Sequence, residues 1–194
     1  MSRGEVVSVS VAIPCFQGRE RLLRTLGQIA QCDPAPAEVI FHADGGWALE
    51  LPVDRVWPWP VHVLHSQTAI GPGGGRQRMI EAAECDVVAS FDDDSWPVEK
   101  DYFARAQTLM NAFPQAAVRS PAVSLPDEPG MPILAEVWDA RGYEGCASIH
   151  RRSLHLKLPG FVPVAAAYGL EEADIALQAR THGMQVLATA WMRA

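Results

Sequence analysis

The chain has 194 residues, 48% of them hydrophobic, enough apolar side chains to bury one sizeable core. Asp and Glu number 23 against 16 Lys and Arg, a formal net charge of −7. That balance excludes a general nucleic-acid binder but leaves room for one small anion held at a metal or a helix N-terminus. Cys15, Cys32, Cys85 and Cys146 are widely spaced and contain no C-x-x-C pair. They form neither a disulfide framework nor a zinc site and read as reduced thiols of a cytoplasmic protein. No signal peptide and no run of about 18 apolar residues is evident, so no transmembrane segment is expected.

In chain order, Val6 to Ile13 reads as a strand ended by Pro14. Gly18 to Gln31 follows as a helix with Leu22, Leu23, Leu26, Ile29 and Ala30 on one face. Glu38 to Ala43 is a second strand closed by Asp44-Gly45-Gly46, and Val61 to His65 a third. Gly71 to Gly75 reads as a glycine loop and Arg76 to Glu84 as a helix. Asp86 to Phe91 is a nearly all-apolar strand, hence buried on both faces, and it runs into Asp92-Asp93-Asp94. Lys100 to Phe113 is an amphipathic helix. Strands are then expected at Ala116 to Val123, Ile133 to Trp138 and Gly145 to His150, and a loop at Leu158 to Gly169. A helix at Glu171 to His182, capped by Gly183, and a strand at Met184 to Ala190 complete the chain.

This alternation predicts an α/β fold with a mostly parallel central sheet flanked by helices, forming a single domain over 1–194. Ligands of such sheets bind beyond the C-terminal strand ends. Three polar clusters fall there: Pro14-Cys15-Phe16, Asp44-Gly45-Gly46 and Asp92-Asp93-Asp94.

Three adjacent carboxylates at the mouth of a buried strand repel one another and call for a cation; hard oxygen ligands suit Mg2+ or Mn2+. The bland alternative is an exposed acidic turn. The segment Gly71-Pro72-Gly73-Gly74-Gly75-Arg76-Gln77 could offer backbone N–H groups to an anion or serve only as a flexible connection. It lacks the Gly-Lys-Ser/Thr of a P-loop and does not follow the first strand as a dinucleotide fingerprint does. Glu171, Glu172 and Asp174 in a first helical turn either complement the macrodipole or include a general base.

Four segments in order resemble the inverting family 2 glycosyltransferases, which have a GT-A type fold. They are VSVAIPCFQG, Asp44-Gly45-Gly46, GPGGGRQRMIEAAECDVVASFDDDS and YGLEEADIALQARTHG, spanning about Val6 to Val186. The resemblance implies a nucleotide-sugar site from Pro14, Cys15, Phe16, Asp44, Arg76, Asp92 and Asp93, within a nucleotide-sugar-binding half at 1–98. Asp92 and Asp94 match the metal-binding Asp-x-Asp. Glu171 matches an acceptor-binding glutamate and Glu172 the catalytic base, in an acceptor-binding half at 99–194. Trp138, Tyr143 and Trp96 are candidate sugar-stacking residues, with Trp138 assigned to the acceptor. The chain departs from the family pattern at Gln77 (for Asn), Met79 (for Gly) and Glu172 (for Asp), and no metal-binding histidine follows the last strand.

The implied reaction is metal-dependent, inverting transfer of a sugar from a nucleotide-diphosphate donor, UDP being the commonest carrier, to a hydroxyl of a carbohydrate or other acceptor. Two alternatives are a sugar-phosphate nucleotidyltransferase and a non-catalytic nucleotide-sugar-binding module. The first wants a basic glycine loop after the first strand, where this chain has only Arg19.

Overall fold

The computed structural model describes residues 7–52, 56–124, 134–162 and 170–194. Its strands are β1 (Val9–Cys15), β2 (Glu38–Ala43), β3 (Val61–His65), β4 (Val87–Phe91), β5 (Ala116–Ala122), β6 (Leu134–Asp139), β7 (Ala147–Arg151) and β8 (Gln185–Arg193). Its helices are α1 (Arg19–Ile29), α2 (Gly71–Ala82), α3 (Tyr102–Ala112), α4 (Arg152–His155) and α5 (Glu171–Thr181). Val6 and Ile133, with which two expected strands begin, and residues 163–169 of the expected loop lie outside the described residues.

All eight strands form one sheet in the order β3-β2-β1-β4-β7-β5-β8-β6. Its first four strands are mutually parallel. β7 then inserts antiparallel to both β4 and β5, β8 pairs parallel to β5, and β6 closes the far edge antiparallel to β8.

The helical period of α1 places Leu22, Leu26 and Ile29 on one fully buried face, where they meet Val11, Phe91 and Phe103. Truncating such a residue, for example Leu26→Ala, costs about 2–5 kcal/mol. A second core covers the opposite face of the sheet. There Met79 and Ile80 of α2 and Ile175, Ala176 and Ala179 of α5 pack on Ala12, Val88, Val118 and Val186. β4 is buried along its whole length, as its apolar sequence predicts for a strand covered on both faces.

Two expectations are corrected. Pro14 does not end β1, which continues to Cys15. The ladder with β4 stops at Ala12, while that with β2 runs on to Cys15. The Cys15 carbonyl accepts the Asp44 N–H, so the polar groups of Pro14 face the side where no partner remains, and its missing N–H breaks no ladder bond.

The glycine run is not a loop either: α2 begins at Gly71. A Cβ on Gly75 would lie 2.9 Å from the His42 ring, and one on Gly73 3.1 Å from Phe161, so these positions let the helix pack closely on the sheet and its neighbours.

Insertion of β7 carries the second half of the chain to the end of β4, with Ala147 opposite Phe91. Ser95 fastens this junction: its hydroxyl accepts the Asp92 N–H at 2.8 Å and donates to the Cys146 carbonyl at 2.6 Å.

Candidate active site

The three polar strand ends do converge. A hollow of about 620 Å3 opens beyond β1, β2 and β4, lined by Pro14, Cys15, Phe16, Asp44, Pro72 and the three aspartates. Phe16 is 55% exposed and offers an aromatic face to this space. A Cβ on Gly45 would lie 3.2 Å from the Phe16 ring. Cys15 is buried with its thiol donating to the Ile13 carbonyl, and burial together with Asp93 and Asp92 pushes the thiol far above its ordinary range. It is a wall of the hollow, not a nucleophile.

Asp44 is occupied from within. Its Oδ1 accepts the Ser66 hydroxyl at 2.5 Å and the Gly45 and Ile70 N–H groups, and its Oδ2 accepts Gly71 N–H at 2.9 Å. Burial pushes its carboxyl up, but the hydrogen bonds from Ser66, Ile70 and Gly71 prevail and hold it below the usual carboxylate range. The same contacts use up part of the α2 N-terminus. Gly71 has given its N–H to Asp44, and Pro72 has none to give.

The three aspartates diverge in role. The Asp93 carboxylate turns inward to Arg21, which donates two hydrogen bonds at 3.1 and 3.0 Å, while its carbonyl accepts the Thr25 hydroxyl at 2.9 Å. A Cβ at Gly18 would lie only 1.9 Å from the Asp93 Oδ2, so only glycine fits there. Asp94 is exposed at the rim, and no ion pair or hydrogen bond engages its carboxylate among the described residues. Asp92 is intermediate in exposure. Burial raises its pKa, Arg76 opposes that rise, and the neighbouring Asp94, Asp93 and Glu171 add to it.

Arg76 joins the two halves of the chain. Its side chain is 3% exposed; one terminal nitrogen lies 2.5 Å from Asp92 Oδ1, the other 3.4 Å from Glu172 Oε1. Its Nε donates to the Ser90 hydroxyl at 3.2 Å. Glu172 carries a raised pKa, chiefly from burial, with Arg76 opposing the rise. Gly145 packs beneath this pair: a Cβ there would stand 2.1 Å from Glu172 Oε1.

A smaller hollow of about 270 Å3 holds Glu171, Glu172, Tyr143 and Glu144, and it shares Pro72 and Asp92 with the larger one. Thus the structure brings together every residue expected at the site except two of the aromatics. Tyr143 walls the smaller hollow, nearly buried against His150. Trp138 lines a separate depression beside it, and Trp96 is half-buried outside both hollows.

Sequence reasoning missed Arg21, Gly18, Ser66, Glu144 and Gly145. Arg21 looks like any solvent-facing helix residue, and its partner Asp93 is 72 residues away. The need for glycine at 145 comes only from the close approach of Glu172, 27 residues on.

Residues 10–169 match the family described as Glycosyl transferase family 2. No curated relative matches at a significant level. Among solved structures, GalNAc-T7 with UDP, GalNAc and Mn2+ shares the fold at a TM-score of 0.76 and 14% identity, over 95% of this chain and 43% of that one. The mannosyltransferase PcManGT from Pyrobaculum calidifontis, in complex with GDP-Man and Mn2+, aligns at 0.73 and 16% identity, over 96% and 56%. S. aureus TarS 1-349 with UDP-GlcNAc aligns at 0.67 and 16%, over 97% and 58%. The chain therefore spans about half the length of these relatives, and identities this low show a shared fold alone. With the family match extending over most of the sequence, the chain belongs to glycosyl transferase family 2 and has the GT-A type fold of these glycosyltransferases.

Proposed function

We propose that the chain transfers a sugar from a nucleotide-diphosphate donor, most simply UDP-linked, to an acceptor hydroxyl, inverting the anomeric centre. The observation that carries this reading is the meeting of the two hollows at Pro72 and Asp92, with Glu172 on the far side of the junction. A donor in the larger hollow would present its anomeric carbon at Asp92. An acceptor in the smaller hollow would approach from the opposite side, past Glu172.

The side chains fit a divalent cation of the Mg2+ or Mn2+ kind. Seven carboxylates (Asp44, Asp92, Asp93, Asp94, Glu144, Glu171 and Glu172) line the two hollows with two guanidiniums, Arg21 and Arg76. Asp93 is neutralised by Arg21, which leaves Asp94 and the second oxygen of Asp92 to ligate. Among the described residues no cluster of three or more His, Cys, Asp or Glu forms a protein cage. Ions of this class are commonly held by one or two carboxylates with substrate phosphates completing the shell. Such an ion, when bound, would supply charge neutralisation for the departing diphosphate.

The chain's own groups do the rest. Phe16 supports stacking of the base, and the Asp44 turn sets the position of α2 against it. Glu172 accepts the proton of the attacking hydroxyl; burial raises its pKa and so makes it a stronger base than an ordinary glutamate. Arg76 holds Glu172 and Asp92 in register, so that base and donor site are fixed relative to each other. A single displacement with the base opposite the leaving group inverts the carbon and needs no enzyme nucleophile.

The test is a screen of UDP- and GDP-sugars, with Mn2+, against a panel of saccharide acceptors, read by nucleoside diphosphate release and by the configuration of the product. Donor binding without transfer to any acceptor would favour the binding-module alternative. Release of pyrophosphate from a nucleoside triphosphate would favour nucleotidyl transfer.

A further inference from the structure

Beyond Glu144 lies the depression that Trp138 lines, about 350 Å3 in volume, at the C-terminal end of β5 and against the edge strand β6. Ser120, Ala122 and Ala188 line it from β5 and β8, and the indole of Trp138 lines it from β6. Trp138 pairs across the ladder with Ala188, a side chain too small to cover the indole, which stays 46% exposed. The Ser120 hydroxyl accepts the Glu144 N–H at 3.3 Å and, among the described residues, donates to no partner. The Glu144 carboxylate has no hydrogen bond or ion pair among the described residues, is exposed, and borders both this depression and the hollow of Glu172.

A flat apolar plate flanked by a carboxylate acceptor and a hydroxyl matches one chemistry closely. A pyranose ring has an apolar face of C–H groups and a rim of hydroxyl donors. An acyl chain would leave Glu144 and Ser120 desolvated without partners. A phosphate-bearing acceptor would meet the Glu144 charge. The volume is at the lower end of the range for small-ligand sites, roughly 300–1,000 Å3, and so fits one ring rather than several.

We propose that this depression is a subsite for the second sugar of a saccharide acceptor whose terminal ring occupies the Glu172 hollow, with Glu144 accepting hydroxyl hydrogens at the junction. The acceptor class is then an oligosaccharide of at least two residues without a phosphate on its second ring. This rests on the glycosyltransferase reading above.

The experiment is an array of immobilised mono-, di- and trisaccharides sharing terminal sugars, probed with the full chain in UDP and Mn2+. Wild type, Trp138→Ala, Trp138→Phe and Glu144→Gln are compared, and UDP affinity is measured separately by calorimetry. For the best terminal sugar, the disaccharide is expected to bind roughly tenfold more tightly than the monosaccharide, the scale of one well-packed aromatic contact. The trisaccharide should add little. Trp138→Ala should erase the gain, Trp138→Phe keep most of it and Glu144→Gln reduce it, all with UDP affinity unchanged. Equal binding of mono- and disaccharide by the wild type, retention of no glycan, or a gain that survives Trp138→Ala would each overturn the subsite. If Trp138→Ala melts early, the wild-type chain-length comparison and Glu144→Gln decide. UDP bound without a chain-length gain sinks this inference alone, whereas loss of UDP binding as well sinks the donor reading beneath it.

Discussion

Arg76 and Glu172, 96 residues apart, meet at 3.4 Å, and the same guanidinium lies 2.5 Å from Asp92. One buried cation thus ties the end of β4 to the first turn of α5. Arg76→Ala would leave two acidic side chains uncompensated. Because Asp92 is 36% exposed and screened by water, the cost to stability is expected to be about 1–3 kcal/mol, less than for a fully buried pair. Transfer should fall by roughly 100-fold or more, as when a preorganised charge is removed from a site. Arg76→Lys keeps the charge but cannot span both carboxylates, so urea denaturation should find it near wild type while transfer stays depressed.

UDP binding is expected to weaken when EDTA removes Mn2+, as calorimetry would show. Asp94→Ala should abolish most of that metal dependence, since its carboxylate has no other partner among the described residues. Asp93→Ala should keep the dependence and lower the melting temperature, because the Asp93 carboxylate is committed to the two hydrogen bonds from Arg21. Equal UDP affinity with and without metal would remove the cation from the mechanism.

Asp44→Ala would strand the N–H groups of Ile70 and Gly71 and the Ser66 hydroxyl, at an expected cost of about 2–3 kcal/mol. UDP affinity should drop with it as α2 loses its anchor. The carboxyl sits below its usual range in the fold, so its stabilisation is complete above the ordinary aspartate pKa and fades as pH falls through the lowered one. Denaturation series at pH 7 and pH 3 should therefore differ less for Asp44→Asn than for wild type.

Glu172→Gln should preserve the fold and UDP affinity and lower transfer by about 100- to 10,000-fold, the usual contribution of a general base. If Glu172 serves only the helix dipole, the same variant would cost about 0.3–1 kcal/mol and leave transfer nearly intact. Because burial raises its pKa, the acid limb of the pH–rate profile should lie above that of an ordinary glutamate. Glu172→Asp shortens the reach to both Arg76 and the acceptor and should also slow transfer.

His150 and His155 stack edge to face beneath the site, and burial holds His150 well below its ordinary pKa and lowers His155 to about 4. The unfolded chain takes up these protons near pH 6.5, the fold only at lower pH. Stability must then fall as pH drops from about 6.5 towards 4, at about 1.4 kcal/mol per pH unit for each such histidine. His155→Gln should flatten that slope in urea denaturation between pH 7 and pH 5, where a slope unchanged from wild type would show that His155 does not titrate on unfolding.

Local signals were enough to read much of this protein from its sequence. Apolar periodicity placed β2 and β3 at their observed bounds and put Leu22, Leu26 and Ile29 on the buried face of α1, because side-chain spacing alone decides which face avoids water. The order of four short motifs named residues that the structure gathers around two adjoining hollows. What sequence could not supply were relations between distant residues. Pro14 and the glycine run look like breaks when read locally. Each is accommodated by a neighbour: the early end of the β4 ladder, and the Asp44 carboxylate capping α2. Three identical aspartates carry three environments, since Arg21 claims Asp93, Arg76 claims Asp92 and solvent receives Asp94. The antiparallel insertion of β7 determined where Gly145 and Glu144 come to lie, and with them the approach to Glu172. Periodicity reports how a residue faces water, whereas charge pairing and close approach depend on which strand folds in beside which.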